Sequence, residues 1–526
     1  MKILADKKAV LLKLKSPERV TTVIPTAKLV RVGKQVLVAV PHRPDEVRVL
    51  RALGFEVPDP MSTYYKWPGR FRPFDAQRDT ANFLAMNSRA FCLNSMGLGK
   101  TMSALWAYDY LRKEKQVRRA LVVCPLSTME RTWADELFKN FPHLDSAVLY
   151  GAADRRRKLL TEDVHLYIIN TDGIKTIKDA LARRSDIDLI IIDEVALFRN
   201  SGTDRWKLMN EIVNKQSPRR VWGLTGSPTP NEPTDAWAQC RLLTPTNPDL
   251  PKYFNAFRDQ VMRQITQFKW VPRDTAVERI REVMQPAIRY SLDDVVDLPP
   301  QIFMHREVEM TREQRVAYRD MLAKLAVAYE GGQILAVNEA VKINKLVQIA
   351  CGVAYGEDHR AIEFPAKPRM DVVREIIEES EGKVIVFVPF TSVLTHVAED
   401  LARDWPTAVI HGGTKKADRD QIFGNFQNTN EPRVLVANPG TMSHGLTLTK
   451  ATTIVWYAPV HSNEIYQQAC ARVRRPGQTR TTVIVNIAGS DVERRIYARL
   501  ERKESLQGAL LDLIKEKDVD TPAVIT

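Results

Sequence analysis

The stretch Ala90-Phe91-Cys92-Leu93-Asn94-Ser95-Met96-Gly97-Leu98-Gly99-Lys100-Thr101-Met102 decides the fold of this chain. The apolar run Ala90–Asn94 reads as a strand buried on both faces, because it is continuous and does not alternate with polar residues. A glycine-bearing loop follows, and the pattern predicts a helix over Met102–Lys113. A strand, a glycine loop and a helix in that order form the setting that a phosphate-binding loop requires. Gly97 and Gly99 let backbone N–H groups wrap phosphates. Lys100 can reach the β- and γ-phosphates, and Thr101 can ligate Mg2+. The nucleotide-binding candidates are therefore Met96, Gly97, Leu98, Gly99, Lys100, Thr101 and Met102. The strict pattern has glycine at position 94, where this chain has Asn94, and a chance glycine-rich helix start is the competing reading.

Working outward, further continuous apolar runs alternate with amphipathic helices. Strands are predicted over Ala120–Cys124, Leu166–Asn170, Leu189–Ile192 and Arg220–Leu224, the rhythm of a doubly wound parallel sheet. The run Leu189–Ile192 ends in Asp193-Glu194. An acid pair at the end of a buried strand sits where open α/β sheets place their ligands. Asp193 can hold Mg2+ through water, and Glu194 can orient an attacking water. Two solvated acids capping a strand are the bland alternative, but their place after a phosphate loop points to nucleoside triphosphate hydrolysis with Mg2+.

Residues 230–300 read as mostly helical and end in Asp297-Leu298-Pro299-Pro300, a predicted hinge. A second α/β rhythm follows, with strands expected at Val384–Val388, Thr407–Ile410, Val434–Ala437, Thr453–Tyr457 and Thr481–Ile487. The fold class is thus α/β, two tandem doubly wound lobes in series, with a cleft expected between them. In the second lobe, helical spacing would put Gln468, Arg472 and Arg475 on one face. Arginines there would stabilise charge on a transferring phosphoryl group. A solvated basic face is the alternative.

The ends of the chain bracket these lobes. Residues 1–66 read as a small α+β unit with strands at Leu11–Leu14, Val20–Ile24, Lys28–Val32 and Gln35–Val40 and a helix at Asp45–Leu53. The expected organisation is an accessory domain at 1–66, a first lobe at 67–296 with a helical insertion near 230–296, a second lobe at 297–490 and a C-terminal helical brace at 491–526. A net charge of +13 on 526 residues favours a polyanionic partner. The five cysteines form no CxxC pair, so neither a zinc knuckle nor a disulfide framework is expected. Without a signal-peptide pattern or an apolar run of bilayer length, the expectation is a soluble intracellular protein with no membrane partner.

With these elements in place the chain resembles the Swi/Snf-type ATPases of helicase superfamily two, over about residues 67–500. Phe71-Arg72-Pro73-Phe74-Asp75-Ala76-Gln77 is similar to the family's Q motif, which makes Gln77 the expected adenine reader. Val123-Cys124-Pro125-Leu126-Ser127 and Ile169-Asn170-Thr171-Asp172 resemble motifs Ia and Ib. Asp193-Glu194-Val195-Ala196 is a variant DEAH box, and Leu224 to Asn231 resembles motif III. In the second lobe Val386-Phe387, His411-Gly412-Gly413, Asn438 to Leu448 and Gln467 to Gln478 resemble motifs IV to VI. The family's architecture implies two RecA-like lobes. Its catalytic set would be Lys100, Asp193, Glu194, Gln468, Arg472 and Arg475. The resemblance also implies DNA contacts at Pro125, Ser127, Thr171, His411, Gly412 and Asn438.

The chain departs from the family at Asn94-Ser95, Met442-Ser443, Ala471 and Arg474, which puts the motif V loop's grip on DNA in most doubt. The implied activity is an ATP-dependent, sequence-independent motor on duplex DNA, from a near-bare member of bacterial or phage type. A strand-separating or annealing helicase at forks, and an ATP-gated nucleic-acid-binding scaffold, are the alternatives. Residues 1–66 would serve as a packing cap or as the docking place of a protein partner.

Overall fold

The computed structural model describes residues 1–33, 35–214, 219–266, 269–330, 336–355, 361–442 and 447–502. The chain divides into two compact units, one of residues 1–229, 233–263 and 272–295, the other of residues 230–232, 264–271 and 296–526.

The first unit is built on a seven-stranded sheet. Its spatial order is Ala287–Ile288, Arg89–Cys92, Arg220–Leu224, Ile187–Asp193, Arg119–Cys124, Leu166–Asn170 and Ser146–Val148, and every pairing is parallel. The central strands are buried at every position or nearly so, in keeping with helices covering both faces. All five strands expected from the apolar runs are present. The two outermost, Ser146–Val148 and Ala287–Ile288, are three and two residues long, too short to leave a pattern in the sequence.

Residues 1–66 belong to this unit and carry a four-stranded antiparallel sheet of order Lys2–Leu4, Ala9–Leu12, Gln35–Pro41, Lys28–Val32. The predicted strand Val20–Ile24 is instead a short helix, Glu18–Thr21. Pro17 sets a helical φ of −57° ahead of it, and the Thr21 hydroxyl donates back to the Pro17 carbonyl, so local geometry overrides β-propensity. The small core under this sheet includes Met86 from the helix Asp75–Met86, which ties it to the sheet of the first unit. In the insertion the helices Asp235–Leu243, Phe254–Val261 and Ala276–Val283 are joined by a two-stranded sheet, Met262–Thr266 with Lys269–Pro272, which the helical reading missed.

The second unit carries a six-stranded parallel sheet ordered Gln301–Glu307, Lys383–Phe387 fourth, and the rest around it as Thr482–Ala488, Ala451–Trp456 before it and Val434–Ala437, Thr407–Ile410 after it. The edge strand Gln301–Glu307 was not expected, because its residues are mostly exposed and its apolar run, Ile302-Phe303-Met304, is only three residues long. The helix Asp491–Arg502 packs Val492, Ile496, Tyr497 and Leu500 into the core of this unit. The remainder of the predicted brace, 503–526, lies outside the described residues, as do Ser443, Gly445 and Leu446 of the motif V segment.

Candidate active site and nucleic-acid interface

The phosphate loop leaves the strand Arg89–Cys92 and enters the helix Lys100–Lys113 through Gly99, which stands at φ +70° in the left-handed region. A side chain there would also meet Gln77, whose Nε2 would lie 2.4 Å from an added Cβ. Glycine is therefore required twice, by conformation and by close approach. No side chain caps this helix, so its first N–H groups are left for an anion. Leu98 is buried and can serve a nucleotide only through its backbone. Gln77 uses both ends of its amide here: its Oε1 accepts from Phe74 N at 3.0 Å and its Nε2 donates to the Leu98 carbonyl at 3.2 Å. It tethers the helix Asp75–Met86 to the loop, and reading adenine would mean exchanging one of these bonds.

Three parallel strands then bring the chemistry together by register. Cys92 and Asp193 are both Cα partners of Leu224, so the phosphate loop, the acid pair and Thr225 start from neighbouring carboxyl ends. Lys100 Nζ donates to the Asn94 carbonyl at 3.0 Å. The Thr225 hydroxyl donates to Glu194 Oε2 at 3.2 Å. Glu194 itself stands at φ +53°, a left-handed conformation that an L-residue adopts at a cost and that is concentrated at functional sites. Asp193 is buried, and burial, reinforced by the neighbouring Glu194 charge, pushes its carboxyl up to about 6. Trp133 opposes that shift, its Nε1 donating to Asp193 Oδ2 at 2.9 Å. Sequence reading missed Trp133, because nothing in the spacing of Met129–Ala134 marks an indole aimed at the acid pair.

The donors suit Mg2+. A hydroxyl at Thr101 and a carboxylate at Asp193 are hard oxygen ligands, and no group of three or more His, Cys, Asp or Glu competes for a softer metal among the described residues. Few protein ligands is the usual state of a Mg2+ site completed by phosphates and water. Asn94, at the departure from the strict pattern, is structural: its Nδ2 donates to Thr80 Oγ1 at 2.7 Å and its Oδ1 accepts from Tyr290 N at 2.9 Å.

The candidate DNA contacts occupy carboxyl ends as well. Ser127 follows the strand Arg119–Cys124 in an exposed turn, while Pro125 is buried. Thr171 follows the neighbouring strand and its side chain is buried, so its loop presents Asp172 and Lys175 to solvent. In the second unit His411-Gly412 and Asn438 follow neighbouring strands paired through Ile410 and Ala437. Asn438 Nδ2 donates to the Pro389 carbonyl at 2.9 Å, and its Oδ1 accepts from Gly440 N at 3.0 Å.

The arginine segment departs from expectation. The helix carrying Gln468 ends at Cys470, and Arg472 and Arg475 lie on the turn beyond it, so the three do not share a helical face. Arg472 N reaches Ala469 O and Val473 N reaches Cys470 O, tightening the last turn, and Pro476 disfavours a helical conformation for the residue before it. The turn is held by Gln478, whose buried Nε2 donates to the carbonyls of Thr449, Ala451 and Val473 at 3.0–3.2 Å. Arg475 Nε donates to the Ala471 carbonyl at 3.0 Å and its Nη1 to Thr447 Oγ1 at 3.1 Å. Burial lowers this guanidinium to about 10, which leaves it cationic at neutral pH. Gln468 is buried with its Nε2 on Glu464. All five cysteines are buried and free.

A phosphate loop beside an acid pair at the carboxyl ends of a doubly wound parallel sheet, followed by a second α/β lobe, defines a P-loop nucleotide hydrolase of helicase type. Residues 81–351, just over half of the chain, match the SNF2-related domain, and residues 368–477 match the helicase conserved C-terminal domain. The chain belongs to the SNF2-related family of helicase-like ATPases, and its lobes are the RecA-like lobes of that family.

Protein p41 of Acyrthosiphon pisum secondary endosymbiont phage 1 is 26% identical over 469 residues, which cover 85% of this chain and 99% of that protein. The SWI/SNF-related matrix-associated actin-dependent regulator of chromatin subfamily A-like protein 1 of Xenopus laevis is 26% identical over 425 residues, 78% of this chain and 41% of its own. The human DNA annealing helicase and endonuclease ZRANB3 is 23% identical over 476 residues, 86% of this chain and 41% of its own. The chain thus spans the phage protein's length but about two fifths of these animal relatives. Among solved structures, the Sulfolobus solfataricus SWI2/SNF2 ATPase core in complex with dsDNA is similar at 22% identity and a TM-score of 0.39, over 86% of this chain and 95% of that one. Among the described residues no helix is long and apolar enough to cross a membrane.

Proposed function

We propose that this protein is an ATP-driven motor that tracks on duplex DNA without reading its sequence. The observation that carries the proposal is the convergence of Lys100, Asp193, Glu194 and Thr225 at three neighbouring strand ends, with Ser127 and the Thr171 loop at the next two in the same sheet. Nucleotide chemistry and a candidate phosphate grip thus share one rigid sheet. Family membership, the net charge of +13 and the similarity to ZRANB3, a DNA annealing helicase by name, support DNA as the track.

In this reading ATP binds along Met96–Met102, with Gln77 beside the loop and Lys100 on the outer phosphates. Thr101 and Asp193 would hold Mg2+, which neutralises phosphate charge when bound. Glu194, steadied by Thr225, orients the attacking water. Arg472 and Arg475 of the second lobe would meet the γ-phosphate when the lobes close on ATP, and Gln468 would support them. Pro125, Ser127 and Thr171 on one lobe and His411, Gly412 and Asn438 on the other would hold the backbone in alternation. Contacts of that kind position without specifying, so binding should weaken steeply with salt. Exposed Leu29, Val32 and Val36 on the N-terminal sheet offer a protein partner a place to dock. A cytoplasmic setting in a prokaryote or an infected host accords with the phage relative.

The test is steady-state ATP hydrolysis at one salt concentration with no nucleic acid, single strands, blunt duplex, forks and RNA. Stimulation by blunt duplex, lost in Lys100→Ala, is expected. Stimulation confined to forks or single strands would replace the duplex motor with a strand-separating or annealing enzyme. Flat hydrolysis with nucleic-acid binding that survives Lys100→Ala would replace it with a scaffold.

A further inference from the structure

The contact between Trp133 and Asp193 joins two parts of the site that the proposed cycle leaves separate. Trp133 is fully buried and Asp193 is 7% exposed, so water cannot substitute for either partner. A buried indole N–H needs an acceptor and a buried carboxylate needs donors, and at 2.9 Å each meets the other's requirement. The bond leaves Asp193 Oδ1, the other carboxylate oxygen, with its direction fixed.

Trp133 is also chain-contiguous with the candidate DNA contact. A 3-10 turn, Leu126–Thr128, runs directly into a π-helical turn, Met129–Ala134. At one end, Ser127 and Leu126 are exposed, Leu126 by 56%, and both the Thr128 N–H and its hydroxyl close onto the Pro125 carbonyl. At the other end, the indole packs in the core with Cys124, Met129 and Ile168. A turn wound too tight followed by one wound too loose is an unusual register, and π-turns concentrate at functional sites. Relaxing either turn toward α geometry moves the register by one residue. That rotates Trp133 by about 100° about the helix axis, enough to take its N–H away from Asp193. The surrounding core is close-packed, so such a shift is passed on and not absorbed.

We propose that Trp133 is a positioning residue, through which a DNA backbone bound at Leu126–Thr128 sets the orientation of the Asp193 carboxylate. The coupling runs within one lobe and rests on the DNA-motor reading given above. A phosphate seated at Ser127 holds the 3-10/π register, the register holds the indole, and the indole, bonded to Oδ2, orients Oδ1, which would be the oxygen offered to Mg2+. Hydrolysis is then faster on DNA partly because the bound track keeps the metal-binding acid in the aimed arrangement.

The experiment is 19F NMR of the full chain labelled with 5-fluorotryptophan, read with Mg2+·ADP, with blunt duplex and with both, beside kinetics of Trp133→Phe. The resonance lost in Trp133→Phe is that of Trp133. Mn2+ in place of Mg2+ assigns it independently as the most strongly broadened one, and Trp133→Tyr serves should the Phe variant fail to fold. The proposal expects this resonance to move with Mg2+·ADP and again with duplex. It expects Trp133→Phe to raise the half-saturating Mg2+ roughly 10-fold and to lower the ratio of duplex-stimulated to basal turnover by a similar factor. Duplex affinity, measured by anisotropy, should be unchanged. A Trp133 resonance indifferent to duplex, or an intact stimulation ratio in Trp133→Phe, with duplex still binding and stimulating the wild type, overturns the coupling alone. Absence of duplex stimulation in the wild type overturns the motor reading and the coupling together.

Discussion

The two lobes hold their functional residues by different means. In the first lobe, Asp193, Glu194 and Thr225 stand on or next to neighbouring strand ends, where backbone register places them, and Lys100 opens the helix that follows the phosphate loop from the next strand. In the second, Arg472 and Arg475 stand on a turn after a helix, and one buried glutamine amide holds that turn to three carbonyls. Register keeps a residue's backbone in place when one supporting side chain is removed, because the ladder remains; only the aim of a side chain, as where Trp133 holds Asp193, depends on a single bond there. A side-chain-held turn depends on each bond it has, and an unpaired buried carbonyl costs about 1–3 kcal/mol.

The same contrast runs through the fastenings of each lobe. Asp186 in the first lobe pairs with Arg184 and Arg119 where all three are partly exposed. Arg369 and Glu493 in the second are fully buried. Arg369 Nη2 donates to both carboxylate oxygens at 2.9 and 3.0 Å, and Gly489 N and the Ser490 hydroxyl complete the acid's partners.

The largest expected effect falls on Arg475. Arg475→Ala should lower duplex-stimulated kcat by roughly 10^3-fold with nucleotide binding retained, if the turn delivers a transition-state arginine. A loss confined to KM would reduce the segment to simple phosphate binding and break the comparison on the side of the second lobe. Next is Glu493→Ala, which strands a buried guanidinium and should cost about 3–5 kcal/mol of stability, read as a lower denaturant midpoint for the second lobe. A negligible change would show that the buried pair is not a fastening.

The sharpest contrast comes from a matched pair. Gln478→Ala should lower kcat roughly 10-fold through loss of the turn, whereas Thr225→Val should cost about 3-fold or less because register still places Glu194. Equal losses would dissolve the distinction between register and side-chain support.

The smallest effect concerns Asp186, whose pairing with Arg184 holds its carboxyl down at about 2. That value is below the ordinary carboxylate range, so the stabilisation is present above pH ~4 and is lost as pH falls toward 2. Asp186→Asn should cost about 1 kcal/mol near neutral pH and only a small part of that near pH 2, in urea unfolding followed across pH. A pH-independent cost would assign the effect to packing.

The contrast also explains what the sequence made legible. Buried parallel strands leave continuous apolar runs, so the central strands of both sheets and the residues at their ends could be read directly, with Asp193-Glu194 closing Leu189–Ile192. Features set by side chains reaching across the chain left no such trace. Trp133 reaches sixty positions to Asp193, and Gln478 reaches back to Thr449. The end of the helix at Cys470 was missed because spacing alone extended it through Arg475, although Pro476 was in view. Edge strands failed for another reason: Gln301–Glu307 is largely exposed, and its apolar run, Ile302-Phe303-Met304, is too short to mark a strand.

The central claim, ATP-driven tracking on duplex DNA, is tested most directly by triplex displacement: a third strand bound to a long blunt duplex, with its release followed over time at several distances from the end. Tracking predicts ATP-dependent release with a lag that grows with distance, absent in Lys100→Ala and in Glu194→Gln. Release without ATP, or no release while duplex-stimulated hydrolysis proceeds, would contradict it.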